Sequence, residues 1–355
     1  MNMKTKTLNL GWLVASCFSL VAFALMSIPH AAWAASPAQN RERPGTLEAV
    51  SGTWVLQQVS SVAELQRLRS SVLDPALSTP HLRGFCLRAP WRSLDGDFSL
   101  LDAGLKLARE HDLAFSVRFM AGRHTPERVF KQAKATFYVS KGNKVPAPFN
   151  PDGSPNAAFE GEYDTFVSAL AGWCRTNHVR LLHLAWYGQN WAELNHGQEV
   201  RALPGYSFEN WLRAHERLID IGLKYTGEDL AVEFPFSGYG PLTEAASALA
   251  DYVVKKSGPW NPLFFCQANG WGPKGDWGAP SMEVEAAFDK VWAKPICRGL
   301  QAIQPGDYDW TVMFQKLCEN HSTYCEIYSP SFTQAHKQVL ASEIERFSVA
   351  KPTLP

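Results

Sequence analysis

The sequence predicts an α/β protein with a single domain, a closed (β/α)8 barrel also known as a TIM barrel. Eight short apolar runs alternate with amphipathic segments, and most connections between them are short. This alternation is typical of parallel βαβ units, and eight units are the count of a closed barrel. The alternative is an open, doubly wound sheet, but the glycine-rich first turn common in such sheets is absent.

The strands and helices follow from the spacing of apolar residues. The predicted strands are 53–59, 83–91, 113–121, 179–187, 230–236, 263–269, 299–304 and 323–328. Six segments have the i, i+3, i+4 spacing of a helix packed on a sheet, namely 100–110, 211–225, 243–255, 282–292, 310–319 and 334–347. Two long connections, the extended loop 131–164 and the loop 189–206, follow the third and fourth strands. We expect both at the carboxyl ends of the strands, the face that carries the sites of barrel proteins.

The N-terminal segment predicts export. Lys4 and Lys6 precede a mostly apolar run at 10–28, and Ala32-Trp33-Ala34 places small residues where a signal peptidase cleaves. We therefore predict an exported protein, periplasmic or extracellular, divided into a signal peptide 1–34, a flexible lead-in 35–50 and a barrel domain 51–350. An uncleaved membrane anchor is the alternative interpretation of the same segment.

Charge and motif content exclude several classes of function. The chain has 34 basic and 34 acidic residues, so electrostatics gives no reason to bind nucleic acid or an anionic membrane. No P-loop, Rossmann or H-E-x-x-H pattern is present, so we predict neither a cofactor nor a metal. We also expect a monomer. The cysteines beyond residue 34 are isolated, which favours buried free thiols, and Cys318 with Cys325 is the preferred pair if a disulfide forms.

Strand alternation predicts an unusually polar barrel interior. Successive side chains of a strand point to opposite faces, so one row of each strand faces the barrel axis. The polar members of these rows are Arg88, Arg118, His183, Tyr187, Glu233, Gln267, Asn269 and Glu326. A structural barrel would hold aliphatic residues there, and an unpaired buried charge costs several kcal/mol. The row is therefore either a binding site or a set of buried ion pairs, such as Arg88 or Arg118 with Glu233.

Aromatic residues gather at the predicted carboxyl ends of the strands. Thirteen tryptophans are present in the chain, and several follow strands two, four, six and seven. Aromatic rings can stack on the C–H faces of sugars, while amide, arginine and carboxylate groups can bind sugar hydroxyls. We therefore predict an oligo- or polysaccharide substrate, with contacts from Arg88, Trp91, Arg118, His124, Tyr187, Trp191, Gln267, Asn269, Trp271 and Tyr328.

Three motifs carry a resemblance to a known group of proteins. The sequences LRAPW at 87–91, VRFMAG at 117–122 and WYGQNWAELNH at 186–196 resemble those of the (β/α)8-barrel glycoside hydrolases, in particular β-amylase-like and β-galactosidase-like barrels. The resemblance implies that Glu193 is a proton donor and that Arg88 supports a nucleophile. The chain departs from the pattern in two places, because Ala192 precedes Glu193 and the expected carboxylate at the end of strand seven is replaced by Gln304.

The sequence thus predicts an exported glycoside hydrolase. Glycosidic cleavage needs one protonated carboxyl group and one ionised carboxylate. We assign these roles to Glu193, as acid and base, and to Glu326, as nucleophile or base, with Asp307 and Asp309 in reserve. Two alternatives remain open. One is a non-catalytic carbohydrate-binding barrel, and the other is a polysaccharide lyase with His183 or Tyr187 as its base.

Overall fold

A parallel sheet closes on itself in the computed structural model of the chain. Each strand pairs with the next one along the chain, and the last pairs in parallel with the first. The prediction of a (β/α)8 barrel is confirmed, and all eight predicted strands are present with shifted ends. The strands are β1 Gly52–Gln58, β2 Gly84–Pro90, β3 Ala114–Met120, β4 Leu181–His183, β5 Ala231–Phe236, β6 Phe264–Asn269, β7 Cys297–Gln301 and β8 Tyr324–Tyr328.

The structure describes residues 45–188, 194, 198–227, 229–236, 243–259, 264–269, 290–302, 306 and 308–350. For 45–47, 243–244 and 264–269 the backbone alone is described. The predicted signal peptide 1–34 lies outside these residues. The described residues all belong to one compact unit. Within the described residues, no helix is long and apolar enough to cross a membrane.

Helices connect the strands and cover the sheet. They are α1 Gly45–Val50, α2 Val62–Leu68, α3 Asp74–Leu77, α4 Ser99–Glu110, α5 Glu127–Lys131, α6 Ala157–Thr176, α7 Phe208–Lys224, α8 Thr243–Ser257, α9 Trp310–Glu319 and α10 Lys337–Ala350. Five of the six predicted helices are confirmed. The sixth, 282–292, lies outside the described residues except for 290–292, which are helical.

Two segments predicted to be irregular contain regular structure. The connection 131–164 includes an antiparallel hairpin, Phe137–Ser140 with Asn143–Pro146, and the first turns of α6. The Asn156 side chain begins α6 by accepting a hydrogen bond from the backbone N–H of Phe159 at 3.3 Å. The prolines and glycines of the connection 131–164 predicted a loop, but most of them lie before Asn156, where α6 begins. The end of the predicted lead-in 35–50 likewise forms α1, whose Val50 is buried.

The amino-terminal half of the barrel interior is apolar. Trp54, Leu181, Ala231, Cys297 and Tyr324 form a buried cluster there. Gly84 makes room for the Trp54 ring, because a Cβ on Gly84 would overlap that ring and lie 2.7 Å from the carbonyl oxygen of Ala114. A second, larger apolar core fills the space between the sheet and the surrounding helices.

The described cysteines are free thiols. Cys86, Cys174, Cys297 and Cys325 are buried, and Cys318 is exposed. The prediction of buried thiols is confirmed for four of these residues and is wrong for Cys318, and the preferred pair of Cys318 with Cys325 does not form.

Candidate active site

A cluster of charged side chains lies inside the barrel. Arg118 on β3 places Nη2 3.1 Å from both carboxylate oxygens of Glu326 on β8. The same nitrogen lies 3.1 Å from Oε2 of Glu233 on β5. All three side chains are 0% exposed. One arginine therefore shares its positive charge between two carboxylates. This is the buried ion pair that was one of the two alternatives for Glu233.

His183 and Tyr324 complete this buried cluster. His183 Nδ1 lies 2.6 Å from Glu233 Oε2 and 2.9 Å from Arg118 Nη2. On the other side of the ring, Nε2 lies 3.2 Å from the Tyr324 hydroxyl, which donates to Glu326 Oε1. Burial, followed by the charge of Arg118, lowers the pKa of His183. Burial and the charge of Glu326 raise the pKa of Tyr324 well above its usual value, so that its hydroxyl keeps its proton and remains a donor.

A second polar pair lies between this cluster and the carboxyl end of the barrel. Tyr328 is the last residue of β8, two positions beyond Glu326 on the same face. Arg88, near the end of β2, donates from Nη1 to the Tyr328 hydroxyl at 2.7 Å. Tyr328 is partly exposed, whereas Arg88 is only 2% exposed and Glu326 is completely buried. The structure therefore places Arg88 and Tyr328 at the floor of the mouth and Glu326 beneath them.

This depth corrects the predicted role of Glu326. A carboxylate that attacks a sugar, or activates water beside one, must contact the substrate. Glu326 instead contacts Arg118 and Tyr324 in a closed interior. The same correction applies to Arg118, which is fully buried and has its Nη2 turned toward carboxylates rather than toward the mouth. Both were correctly predicted to point inward, but strand alternation does not give the depth of a residue along the barrel.

One group of potential metal ligands comes together among the described residues. Ligand atoms of Cys86, His183 and Glu326 lie within 4.8 Å of one another. Arg118 Nη2, however, is 2.9 Å from His183 and 3.1 Å from both oxygens of Glu326. The guanidinium thus supplies the positive charge that a cation would bring. Burial also raises the pKa of the Cys86 thiol well above its usual value, which opposes the thiolate form that binds metals.

Trp91 is a core residue, and its predicted role as a sugar platform is wrong. Its ring is 0% exposed and stacks on Phe166, with centroids 4.9 Å apart and planes at 28°. Phe119, Phe159 and Tyr163 surround it. The residue follows directly after β2 and turns toward α6, so it belongs to the layer between sheet and helices.

Tyr187 is also displaced from its predicted position. Strand β4 ends at His183, so the alternation expected for 179–187 stops before Tyr187. The ring packs between Phe159 and His215 on the helices outside the barrel. Its buried hydroxyl lies 3.5 Å from Glu160, and burial raises its pKa well above the usual value. Neither Tyr187 nor the buried His183 is placed to act as the base of a lyase.

Other predicted residues lie near the mouth or outside the described residues. His124 is buried in a 3-10 turn directly after β3, where the Arg123 Nε–H points at its Nε2 at 3.4 Å. Asp309 caps α9 by accepting from the backbone N–H of Val312. Gln267 and Asn269 are described only as backbone of β6, paired with Gly299 and Gln301. Four of the predicted site residues, Trp191, Glu193, Trp271 and Asp307, lie outside the described residues.

Gln301 is a polar residue that the sequence reasoning missed. It ends β7, three residues before the expected Gln304, and is 2% exposed. The predicted strand 299–304 begins two residues after the start of β7 and ends three residues after its end. Alternation counted from Gly299, which packs on the Tyr324 ring inside the barrel, would have identified Gln301 as an inward residue.

Comparison with solved structures supports the fold. The catalytic domain of a β-amylase from Paenibacillus polymyxa aligns with a TM-score of 0.52 and 11% identity, covering 85% of this chain and 98% of that one. A thermostable xylanase mutant from Cellvibrio japonicus aligns with a TM-score of 0.49 and 9% identity, covering 87% and 99%. No protein-family model matches the sequence, and no curated protein matches it.

The predicted resemblance to the barrels of glycoside hydrolases is therefore confirmed as a likeness of fold. At 11% identity the alignment with the β-amylase domain shows architecture alone.

Proposed function

We propose that this protein is an exported glycoside hydrolase that binds an oligo- or polysaccharide at the carboxyl end of its barrel. The observation that carries the proposal is the Arg88–Tyr328 pair, joined at 2.7 Å on the floor of the mouth. A barrel stabilised only by packing would close this level with aliphatic side chains. A partly exposed phenol held in place by a buried guanidinium instead suits a ligand rich in hydroxyl groups.

Glu193 is the proposed proton donor. It follows β4 in the chain, and loops after barrel strands carry catalytic groups at the carboxyl face. The support for its role is the motif at 186–196 together with the barrel fold shared with a β-amylase domain.

The buried position of Glu326 changes its part in the proposal. Its carboxylate holds Arg118 from below the mouth, so we assign it a supporting role rather than attack on the sugar. The second carboxylate is then Asp307, which follows β7, where the resembled hydrolases keep their nucleophile. Asp309 is less suited, because its side chain caps α9.

Three isosteric variants test this arrangement with a panel of oligosaccharides and release of reducing ends as the readout. Glu193→Gln and Asp307→Asn should each lower turnover by about two orders of magnitude or more, typical of a lost acid or base, with little change in melting temperature. Glu326→Gln should mainly lower the melting temperature, because it weakens the buried contact with Arg118. Full activity in Glu193→Gln contradicts the proposal, whereas a folded Glu326→Gln with abolished turnover restores the direct role for Glu326.

Export is tested separately by the N-terminus of the protein recovered from cells. The signal segment predicts a mature chain that begins at Ala35, outside the cytoplasm. A protein that retains Met1 and remains with the membrane fraction would instead indicate an uncleaved anchor.

A non-catalytic carbohydrate-binding barrel is the second candidate function. The burial of Glu326 favours it, because one of the two carboxylates predicted for catalysis is tied to Arg118. Binding of oligosaccharides by calorimetry without any release of reducing ends, in the unmodified protein, would select this function over the hydrolase.

A further inference from the structure

Gln301 lies on the inner face of the barrel at the end of β7. Gly299, two residues earlier, faces the Tyr324 ring, since a Cβ there would lie 3.0 Å from Tyr324 Cδ1. Side chains two positions apart on a strand share a face, so Gln301 points inward as well. In the sheet it is paired with Glu326 on one side and Asn269 on the other. The residue therefore lies beside Glu326 and at the carboxyl end of its own strand.

Nε2 of Gln301 is buried and makes no hydrogen bond with the part of the chain that the structure describes. A buried donor without a partner costs about 1–3 kcal/mol. A leucine or methionine of similar size would avoid this cost in a purely structural interior. Other buried atoms of the described residues share this property, Trp91 Nε1 among them, but Gln301 combines it with a position at the carboxyl end of a barrel strand, where a ligand can supply the acceptor.

We propose that Gln301 is a substrate-binding residue whose Nε2–H donates a hydrogen bond to a hydroxyl of the sugar bound at the mouth. This inference rests on the proposed binding of a carbohydrate. The position at the strand end supports it, because ligands of barrel proteins bind at that face. Gln301 is the last residue of β7, and the three rotatable bonds of its side chain let the amide turn toward the carboxyl end of the barrel.

Two variants separate binding from packing. Gln301→Met keeps the volume and removes the amide, and Gln301→Glu keeps the shape and removes the donor. We measure binding of maltohexaose, xylotetraose, cellohexaose and galactotetraose by calorimetry, together with the melting temperature. Gln301→Met should weaken binding of the preferred sugar about tenfold, equivalent to about 1.4 kcal/mol, without lowering the melting temperature. Gln315→Met, on the exposed face of α9, is the matched control and should change neither.

The outcomes distinguish this inference from the proposed function. If the unmodified protein binds sugar and Gln301→Met binds it equally well, the inference is wrong and the proposed function stands. If the unmodified protein binds none of the four sugars, both are overturned together. Weaker binding in Gln301→Met and Gln301→Glu, with unchanged binding in Gln315→Met, supports the assigned hydrogen bond.

Discussion

Arg118 Nη2 lies 3.1 Å from both carboxylate oxygens of Glu326 in the interior of the barrel, where neither side chain reaches solvent. Glu233 shares the same arginine at 3.1 Å. Desolvating three charges is costly, and their mutual attraction offsets this cost only while all the partners remain. These three residues therefore link strands β3, β5 and β8, and the loss of any one of them should lower the stability of the fold.

Arg118→Met should strongly destabilise the fold. The substitution leaves two buried carboxylates without their shared arginine, and breaking a buried pair costs about 3–5 kcal/mol. The free energy of unfolding from urea titration measures the effect. Arg346→Met is the control, because Arg346 is 71% exposed in its pair with Glu343. This variant should lower the free energy of unfolding by at most about 1 kcal/mol. Equal stability of the two variants would show that the buried cluster contributes little.

Acidification should destabilise the protein through His183. Burial lowers the pKa of His183 in the folded state, whereas an unfolded histidine has a pKa of about 6.5. Between these values the unfolded chain binds the additional proton, so stability is complete above about pH 6.5 and falls as the pH decreases below it. The slope reaches at most about 1.4 kcal/mol per pH unit for one group.

The comparison that isolates this effect is His183→Gln. Unfolding free energies of both proteins between about pH 8 and pH 5, above the usual range of carboxylates, should differ in slope below about pH 6.5. His178, at a positive φ in the turn after α6, provides the control variant His178→Gln, which should retain the slope. Parallel curves for the unmodified protein and His183→Gln would contradict the prediction.

The sequence was sufficient to predict the strand count but less informative about where each strand ends. Apolar runs and their spacing identify all eight strands, because parallel strands buried on both faces are nearly continuously apolar. That same continuity hides the ends. The run 179–187 is apolar almost throughout, yet β4 stops at His183, and the chain then carries Trp186 and Tyr187 into the helix layer.

The charged interior could be predicted, but its arrangement could not. Alternation correctly turns Arg118, His183, Glu233 and Glu326 toward the axis. Alternation gives the face of a strand, whereas the level of a residue depends on the stagger between neighbouring strands. Only the register of the closed sheet shows that Glu326 lies beneath Tyr328 and within reach of Arg118.

Replacing Trp91 should affect stability rather than sugar binding. The ring is enclosed by Phe119, Phe159, Tyr163 and Phe166, so Trp91→Ala should cost about 3–5 kcal/mol. Phe208→Ala, at a ring that is 46% exposed, should change stability by no more than about 0.5 kcal/mol. Urea unfolding measures both. A Trp91→Ala protein that is as stable as the Phe208→Ala protein would contradict the core position.

Two glycine-to-alanine substitutions should have opposite effects because their surroundings differ. At Gly84 a Cβ would overlap the Trp54 ring and lie 2.7 Å from the carbonyl oxygen of Ala114, which the sheet holds in place. Overpacking of this kind costs about 1–3 kcal/mol. At Gly161, inside α6, a Cβ would meet no atom within 4 Å, and alanine in a helix gains about 0.5–1 kcal/mol over glycine. Thermal unfolding of both variants beside the unmodified protein measures the difference. A Gly84→Ala protein that melts no lower than the unmodified one would show that the Trp54 ring is not packed against β2 as described.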